Sequence, residues 1–389
     1  MAEINPDSIK PSDENSKERK HHHLEMADQA QTPGHQRLPR FLQHCTYEPL
    51  FSAHPERWTT ANKNSLKANM KFLGKNLNYP IWISSMTGGV GAAKHINQNL
   101  AMMAREFGFG MGLGSCRPLL RDDFYFSDFN LRPIIGNDVP FFANIGMAQV
   151  EQFYLQKDYS PLLTLVDRLK VDGLIIHVNP LQEYFQPEGD RLLCPPLEVL
   201  SDFINKFSMP LIVKEVGQGM GPKSLNALMN LPVAAIELAG HGGTNFTALE
   251  LKRKKRDLNS AVDTLEENSP MMNFAHVGHS VDEMVKFIRD IESVNQENRN
   301  LTNHFIISGG IKDALDAWPL LLKLDPELSG RVLIGMARTF LGHATSDYKK
   351  LQKFAVEVVD GLNLASKYIS LNEAEANLKN DNRGSGNVH

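Results

Sequence analysis

The sequence predicts an α/β protein built on a (β/α)8 TIM barrel with an N-terminal extension. Three observations predict it. Eight short apolar runs recur between residues 80 and 334, each leads directly into a polar or glycine-containing loop, and six of the stretches between them have helical character. Strands alternating with helices read as a parallel sheet. Eight such units over about 270 residues match a closed barrel, whose active site lies at the C-terminal strand ends. The rival is an open doubly wound sheet, which usually carries GxGxxG after its first strand. Here Met86-Thr87-Gly88-Gly89-Val90-Gly91 has a different spacing.

In order, the chain divides into an N-terminal extension (1–71), a barrel (72–365) and a polar tail (366–389). Residues 1 to about 16 are polar and rich in Pro, Ser and Asn, a composition that disfavours a packed core. Phe72-Leu73-Gly74-Lys75 reads as a short hairpin leading into the first strand, Pro80–Ser85. A helix is expected from about Ala92 to Phe107. Further strands are expected at Gly108–Leu113, Pro140–Asn144, Gly173–Ile176, Pro210–Glu215, Val233–Leu238, His304–Ile307 and Val332–Ile334. A helix at about Val281–Val294 precedes the seventh strand, and the charged stretch Lys252–Asn268 reads as a solvated helix end and loop.

Composition narrows the function classes. The chain has 389 residues, a formal net charge of -4 and 42% hydrophobic residues, so bulk attraction to nucleic acid or to an anionic membrane is not expected. Three cysteines, Cys45, Cys116 and Cys194, are too few for a disulfide framework and favour a reducing compartment. No apolar run reaches the roughly 18 residues of a membrane span, and the acid-rich start lacks the apolar core of a signal peptide. The expected location is the cytoplasm.

The chemistry concentrates at strand ends. His177, Asn179, Gln182 and Glu183 follow one apolar run within seven residues, in the stretch HVNPLQEYFQPEGDR. Pro180 and Pro187 are expected to hold that loop stiff and keep helix from forming early, with Gly189-Asp190 as a turn. His177 reads either as a base or as a strand-end histidine bonded to backbone. Glu183 reads either as a general base or as a ligand for Mg²⁺, which takes one or two carboxylates plus substrate phosphates. Ser308-Gly309-Gly310 and Gly335-Met336-Ala337-Arg338 suit a phosphate held by backbone N–H groups after the last two strands. Lys214, inside an apolar strand, is costly unless it meets an anion or cofactor at the barrel mouth, and Thr244 points at the same centre. One phosphate site with many amide and hydroxyl contacts suits a flavin mononucleotide (FMN). A second anion site is a candidate at Arg19-Lys20 with Arg117; a solvated basic patch is the alternative. Cys116 could be a nucleophile, but no ordered base accompanies it, and an inert loop thiol is the alternative.

The motifs RKxxH, FLGK, ISSMTGG, ANIG, HVNPLQE, QPEGDR, VKEVG, AGxGGTNF, SGGI and GxAR, in that order over about residues 19–345, closely resemble type 2 isopentenyl diphosphate isomerase. The resemblance implies a cytoplasmic FMN-dependent TIM barrel of isoprenoid biosynthesis, a homo-oligomer (tetramer or octamer). It implies interconversion of isopentenyl and dimethylallyl diphosphate, with Mg²⁺ on the prenyl diphosphate and NADPH as the flavin reductant. Carried over, Arg19, Lys20 and His23 would close over the substrate diphosphate with Ser115 and Arg117. His177 and Asn179 would line its pocket, Gln182 would contact the substrate, and Glu183 would bind Mg²⁺; Gln182, Glu183 and His177 form the implied catalytic set. Met86, Thr87, Gly88, Ser115, Asn144, Lys214, Thr244, Gly309, Gly310, Ala337 and Arg338 would hold FMN. The chain departs from the family at Phe274–Ser280, FAHVGHS where the family reads close to WGIPT, so the substrate-pocket wall is expected to differ there.

Two other readings use the same residues. A flavin-dependent oxidoreductase of the same barrel type, acting on a hydroxy acid or nucleotide, would need a catalytic His or Cys above the flavin and no Arg19-Lys20 or Glu183. A non-catalytic flavin- or phosphate-binding regulator would draw support from the altered 274–280 segment alone.

Overall fold

The computed structural model describes residues 45–47, 50, 66, 70–86, 93–256, 269–294, 302 and 304–372. The expectations for Arg19, Lys20, His23, Thr87, Gly88 and the tail beyond 372 lie outside the described residues.

The described elements run β1 (Cys45–Tyr47), β2 (Met70–Phe72), β3 (Lys75–Leu77), β4 (Ile81–Ile83), α1 (Ala93–Phe107), β5 (Gly110–Ser115), α2 (Phe126–Phe129), α3 (Arg132–Ile135), β6 (Phe141–Gly146), α4 (Met147–Gln156), α5 (Ser160–Leu169), β7 (Gly173–His177), α6 (Pro180–Phe185), α7 (Pro196–Lys206), β8 (Leu211–Lys214), α8 (Pro222–Met229), β9 (Ala235–Glu237), α9 (Phe246–Arg256), α10 (Val281–Val294), β10 (Phe305–Ser308), α11 (Ala314–Leu324), β11 (Val332–Met336), α12 (Arg338–Ala344), α13 (Tyr348–Tyr368) and β12 (Ile369–Leu371). Strands β4 to β11 pair in parallel in chain order, and β11 returns to β4 to close the barrel, with Ile334 opposite Ile81. All eight predicted strands are present, and closure rules out the open sheet.

Each strand is buried over most of its length because both of its faces are covered, one by the barrel interior and one by helices. Trp82 and Phe142 pack edge to face inside the barrel, 5.8 Å between ring centroids. Two strand glycines make room in the barrel core: a Cβ on Gly110 would lie 2.4 Å from the Trp82 ring, and one on Gly112 would lie 2.5 Å from Ile175. In front of the barrel, β2 and β3 form the predicted hairpin. Its two turn residues, Leu73 and Gly74, both take positive φ (49° and 82°), the backbone of a twist-matched two-residue turn.

Two features differ from expectation. Pro180 does not delay helix; α6 begins on it. At the first helical position the missing N–H of proline is one that no carbonyl would have met, and its fixed φ already suits the helix. The 21-residue α13 packs on α11, α12 and α1, and its C-terminal continuation β12 pairs antiparallel with β1. Asp347 caps α13, its side chain accepting the Lys349 N–H at 2.9 Å.

Candidate active site

Two cavities meet at the C-terminal mouth of the barrel, of about 630 and 670 Å³ of empty space. They share Ser85, Met86, Lys214, Val216 and Phe246 as a common border.

The first cavity sits over a polar crescent contributed by five consecutive strands. Lys214 ends β8, Glu237 ends β9, Ser308 ends β10, Gly335 lies in β11 and Ser84 follows β4. Lys214 and Glu237 are register partners, so both side chains leave the same side of the sheet. Gly335 leaves room for the hydroxyls beside it: a Cβ there would lie 2.5 Å from Ser84 Oγ. Glu237 is 1% exposed. Its Oε1 accepts the Ser308 hydroxyl at 3.1 Å, and Ser308 Oγ in turn accepts the Ala239 N–H at 3.1 Å. Among the described residues Glu237 Oε2 has no partner, and neither do Ser84 Oγ, Ser85 Oγ or Thr244 Oγ1, all buried and all from residues lining this cavity. A buried polar atom without a partner is costly. Four converging on one cavity fit a polar ligand with several donors and acceptors.

Above the crescent, Lys214 Nζ donates to the Glu215 carbonyl at 2.6 Å. The Glu215 carboxyl is the hub of the following turn. One oxygen accepts the N–H groups of Gly217, Gln218 and Gly219 at 2.8, 2.6 and 2.9 Å. Burial pushes this carboxyl up to about 7, against those N–H donors and the Lys214 ammonium, which pull it down. On the far wall, Gly309 and Gly310 both take positive φ (122° and 79°), and Cβ atoms there would lie 2.3 and 2.5 Å from the Gly240 and Gly242 carbonyls. The loops after β9 and β10 therefore pack backbone on backbone. Ala337 and Arg338, at the start of α12, complete that wall.

The second cavity is lined by Ser115, Arg117, Asn144, Gln149, His177, Asn179, Gln182 and Glu183. His177 Nδ1 meets Asn144 Oδ1 at 2.7 Å, with Nδ1–H donating. That bond orients the ring, whose Nε2 edge lies close to Gly146: a Cβ there would sit 3.0 Å from it. Asn179 Nδ2 donates to Gln182 Oε1 at 2.9 Å and to Glu183 Oε1 at 3.1 Å. Helix α6 makes this possible, because residues three and four apart share a helix face. Among the described residues no three His, Cys, Asp or Glu side chains cluster as a metal site. The cavity offers one carboxylate, Glu183, beside the Arg117 cation. That donor set fits a divalent cation completed by the oxygens of a bound anion, not a cation held by protein alone.

Of the residues predicted from sequence, Met86, Lys214, Thr244, Gly309, Gly310, Ala337 and Arg338 line the first cavity. Ser115, Arg117, Asn144, His177, Asn179, Gln182 and Glu183 line the second, together with Met86 and Lys214. Sequence reasoning missed Ser84, Ser85, Glu237, Gln149 and Phe246. Glu237 carried the same signal as Lys214, a charge inside an apolar run (VAAIELAG).

The two readings of Cys116 separate here, and the expectation for the 274–280 segment is corrected. Cys116 is fully buried, its Sγ 3.5 Å from the Gly114 carbonyl, and it lines neither cavity, so it has no access to a ligand there. The 274–280 segment forms no part of either cavity wall. Its carbonyls at Phe274, Ala275 and Val277 accept bonds from Gln218, Asn245 and His241, and Val277, Gly278 and His279 face a separate apolar groove beside α7 and α8. Phe246 occupies the border where that segment was expected.

No protein-family model matches the chain. Among curated proteins, the isopentenyl-diphosphate delta-isomerase of Rickettsia felis (strain ATCC VR-1525 / URRWXCal2) is 33% identical over 303 residues, 78% of this chain and 80% of that protein. The isopentenyl-diphosphate delta-isomerase of Rickettsia rickettsii (strain Sheila Smith) is 36% identical over 255 residues, 66% of this chain and 69% of that protein. Among solved structures, a flavocytochrome b2 variant with sulfite bound aligns with a TM-score of 0.55 at 13% identity, covering 92% of this chain and 87% of that one. A lactate oxidase of Pediococcus acidilactici aligns with a TM-score of 0.51 at 12% identity, covering 89% and 90%. At that identity the structural likeness speaks for the barrel fold alone.

Proposed function

The chain belongs to the isopentenyl-diphosphate delta-isomerase family, and from that premise we propose that it interconverts isopentenyl and dimethylallyl diphosphate at reduced FMN, with Mg²⁺ on the diphosphate. The observation that carries the reading is the meeting of two unlike cavities at Lys214. Among the described residues, one is lined by four buried polar atoms without partners and the other by a single carboxylate, a guanidinium and four side-chain amides.

The first cavity fits FMN. Gly309, Gly310, Ala337 and Arg338 would hold its phosphate, Ser84, Glu237 and Thr244 its hydroxylated chain and ring edge, and Lys214 the electron-rich side of its ring. Asn144 and Ser115 would reach it across the shared border. Bound and reduced, FMN would supply an electron-rich surface and acid–base groups against the double bond, so that the 1,3-proton shift involves no net redox change. NADPH is the proposed reductant.

The second cavity takes the substrate. Arg117 and Ser115 would bind the diphosphate and Glu183 would hold Mg²⁺ there; the family resemblance assigns Arg19, Lys20 and His23 to the same diphosphate. Gln182 contacts the substrate, oriented by the Asn179 amide that donates to it. His177, held by Asn144, lines the same space. Phe246, on the border, excludes water from the apolar part of the substrate. Among the described residues, Glu183 is the one carboxylate lining the second cavity. This supports proton transfer at the cofactor rather than by a side-chain acid–base pair.

The test is anaerobic: purified protein with FMN, Mg²⁺ and dithionite is given isopentenyl diphosphate, and dimethylallyl diphosphate is followed by NMR. Turnover that requires reduced flavin is expected. FMN that binds and reduces without turnover refutes the isomerase assignment and turns attention to hydroxy acids as substrates.

A further inference from the structure

We propose that Asp190 is a positioning residue that presets both halves of the diphosphate site before substrate arrives. The inference rests on the reading of the second cavity as that site.

Asp190 acts through two different groups. Its carboxylate meets Arg117 at 2.9 Å and accepts the Gln149 amide at 3.1 Å. Its backbone N–H donates to Glu183 Oε2 at 2.9 Å. Arg117, Gln149 and Glu183 all line the second cavity, and Asp190 does not. The carboxylate therefore contacts the guanidinium without itself lining the ligand space. From there it orients the cation without presenting its own charge to an incoming anion.

The surrounding loop is built to hold Asp190 in place. Gly189 passes against the backbone of Glu183: a Cβ there would lie 2.0 Å from the Glu183 carbonyl oxygen and 2.8 Å from its carbon. No side chain fits at that approach. Upstream, Glu188 is tied to Arg253 of α9 at 2.8 Å, and Arg253 also pairs with Glu250. Downstream, the Leu193 and Cys194 N–H groups donate to the buried Glu151 of α4 at 2.8 and 2.6 Å. The QPEGD stretch is thus clamped to α9 on one side and α4 on the other, with Asp190 midway.

The physical gain is preorganisation. An unrestrained arginine carries rotamer entropy that binding would have to remove. Asp190 engages one of the five guanidinium donors and leaves the rest for a diphosphate.

The experiment measures binding of inorganic pyrophosphate with Mg²⁺ to the FMN-loaded protein by titration calorimetry. The proteins compared are wild type, Asp190→Ala, Asp190→Asn, Arg117→Ala and the Arg117→Ala/Asp190→Ala double variant. Asp190→Ala is expected to weaken binding about tenfold, the loss of one charge-assisted contact's worth of organisation. Asp190→Asn, which keeps an acceptor, should weaken it less. The double variant should bind no more weakly than Arg117→Ala alone, because Asp190 works through Arg117. FMN affinity should be unchanged throughout, which a general structural fault would not leave intact. If Asp190→Ala does not take up FMN, Asp190→Asn carries the same comparison. Equal or tighter pyrophosphate binding in Asp190→Ala, or strictly additive losses in the double variant, would overturn the proposal. A wild-type protein that binds FMN but no pyrophosphate would overturn the diphosphate reading itself.

Discussion

Replacing Glu237 by glutamine should stabilise the cofactor-free protein and weaken its grip on FMN. The two signs come from the two carboxyl oxygens. Oε1 accepts the Ser308 hydroxyl, a bond that the isosteric amide oxygen can keep. Oε2 is buried in the first cavity without a partner. An unsatisfied buried polar oxygen costs roughly 1–3 kcal/mol, more when charged. Relieving even 1 kcal/mol should raise the melting temperature of the FMN-free protein by about 1–2 °C, since the shift per kcal/mol shrinks with chain length. With FMN present the balance reverses. A hydrogen bond to a charged acceptor contributes roughly 1.5–3 kcal/mol and a neutral one about 1. The difference corresponds to an FMN dissociation constant about 2- to 30-fold higher in the variant. Quenching of FMN fluorescence on titration with apoprotein gives the affinity, and calorimetric melts with and without FMN give the stability. An unchanged FMN affinity, or an FMN-free variant that melts lower than wild type, would refute the assignment of Oε2 to the cofactor.

Three further outcomes are expected. Glu183→Gln should lower isomerase activity by roughly 100-fold or more while FMN titrates as in wild type; retained activity would remove the metal role. Glu215 has its carboxyl pushed up to about 7 by burial, above the ordinary carboxylic range. A raised folded-state value means that its stabilising contribution is complete below the ordinary value and is lost as pH rises through about 7. The melting temperature of wild type relative to Glu215→Gln should therefore fall between pH 5 and pH 8, and a pH-independent difference would contradict the burial argument. Cys116→Ala should keep FMN uptake and turnover within about twofold, because the thiol sits outside both cavities; loss of turnover would restore Cys116 as a nucleophile candidate.

Much of the site was legible because a parallel barrel gathers its chemistry at one end of every strand. Lys214, Thr244 and the glycine pairs could be placed around one centre from strand positions alone. Glu237 obeyed the same rule and was passed over, although a carboxyl in an apolar run carries the same desolvation cost as an ammonium. Other features depend on contacts between remote segments. Nothing local to Asp190 says that it will meet Arg117, or that Gly189 will touch the Glu183 carbonyl. The 274–280 segment departs from the family pattern, but a departure in sequence does not say which side of α9 it packs on; its carbonyls turned out to be spent on Gln218, His241 and Asn245. Pro180 was read as a helix breaker when its position made it a helix starter.

The barrel closes through β11 and β4, whose paired residues Ile334 and Ile81 lie about 250 residues apart. During synthesis at roughly 5–20 residues per second, β4 waits on the order of 10–50 s for its second neighbour. For that interval the growing sheet has a bare edge, with Trp82 beside it, the condition that invites pairing with another chain. A nascent chain halted before residue 332 holds every barrel strand except the one that seals the cylinder. Its fate on the ribosome then rests with chaperones, and synonymous changes that slow decoding between β10 and β11 should lower yield without altering a single side chain.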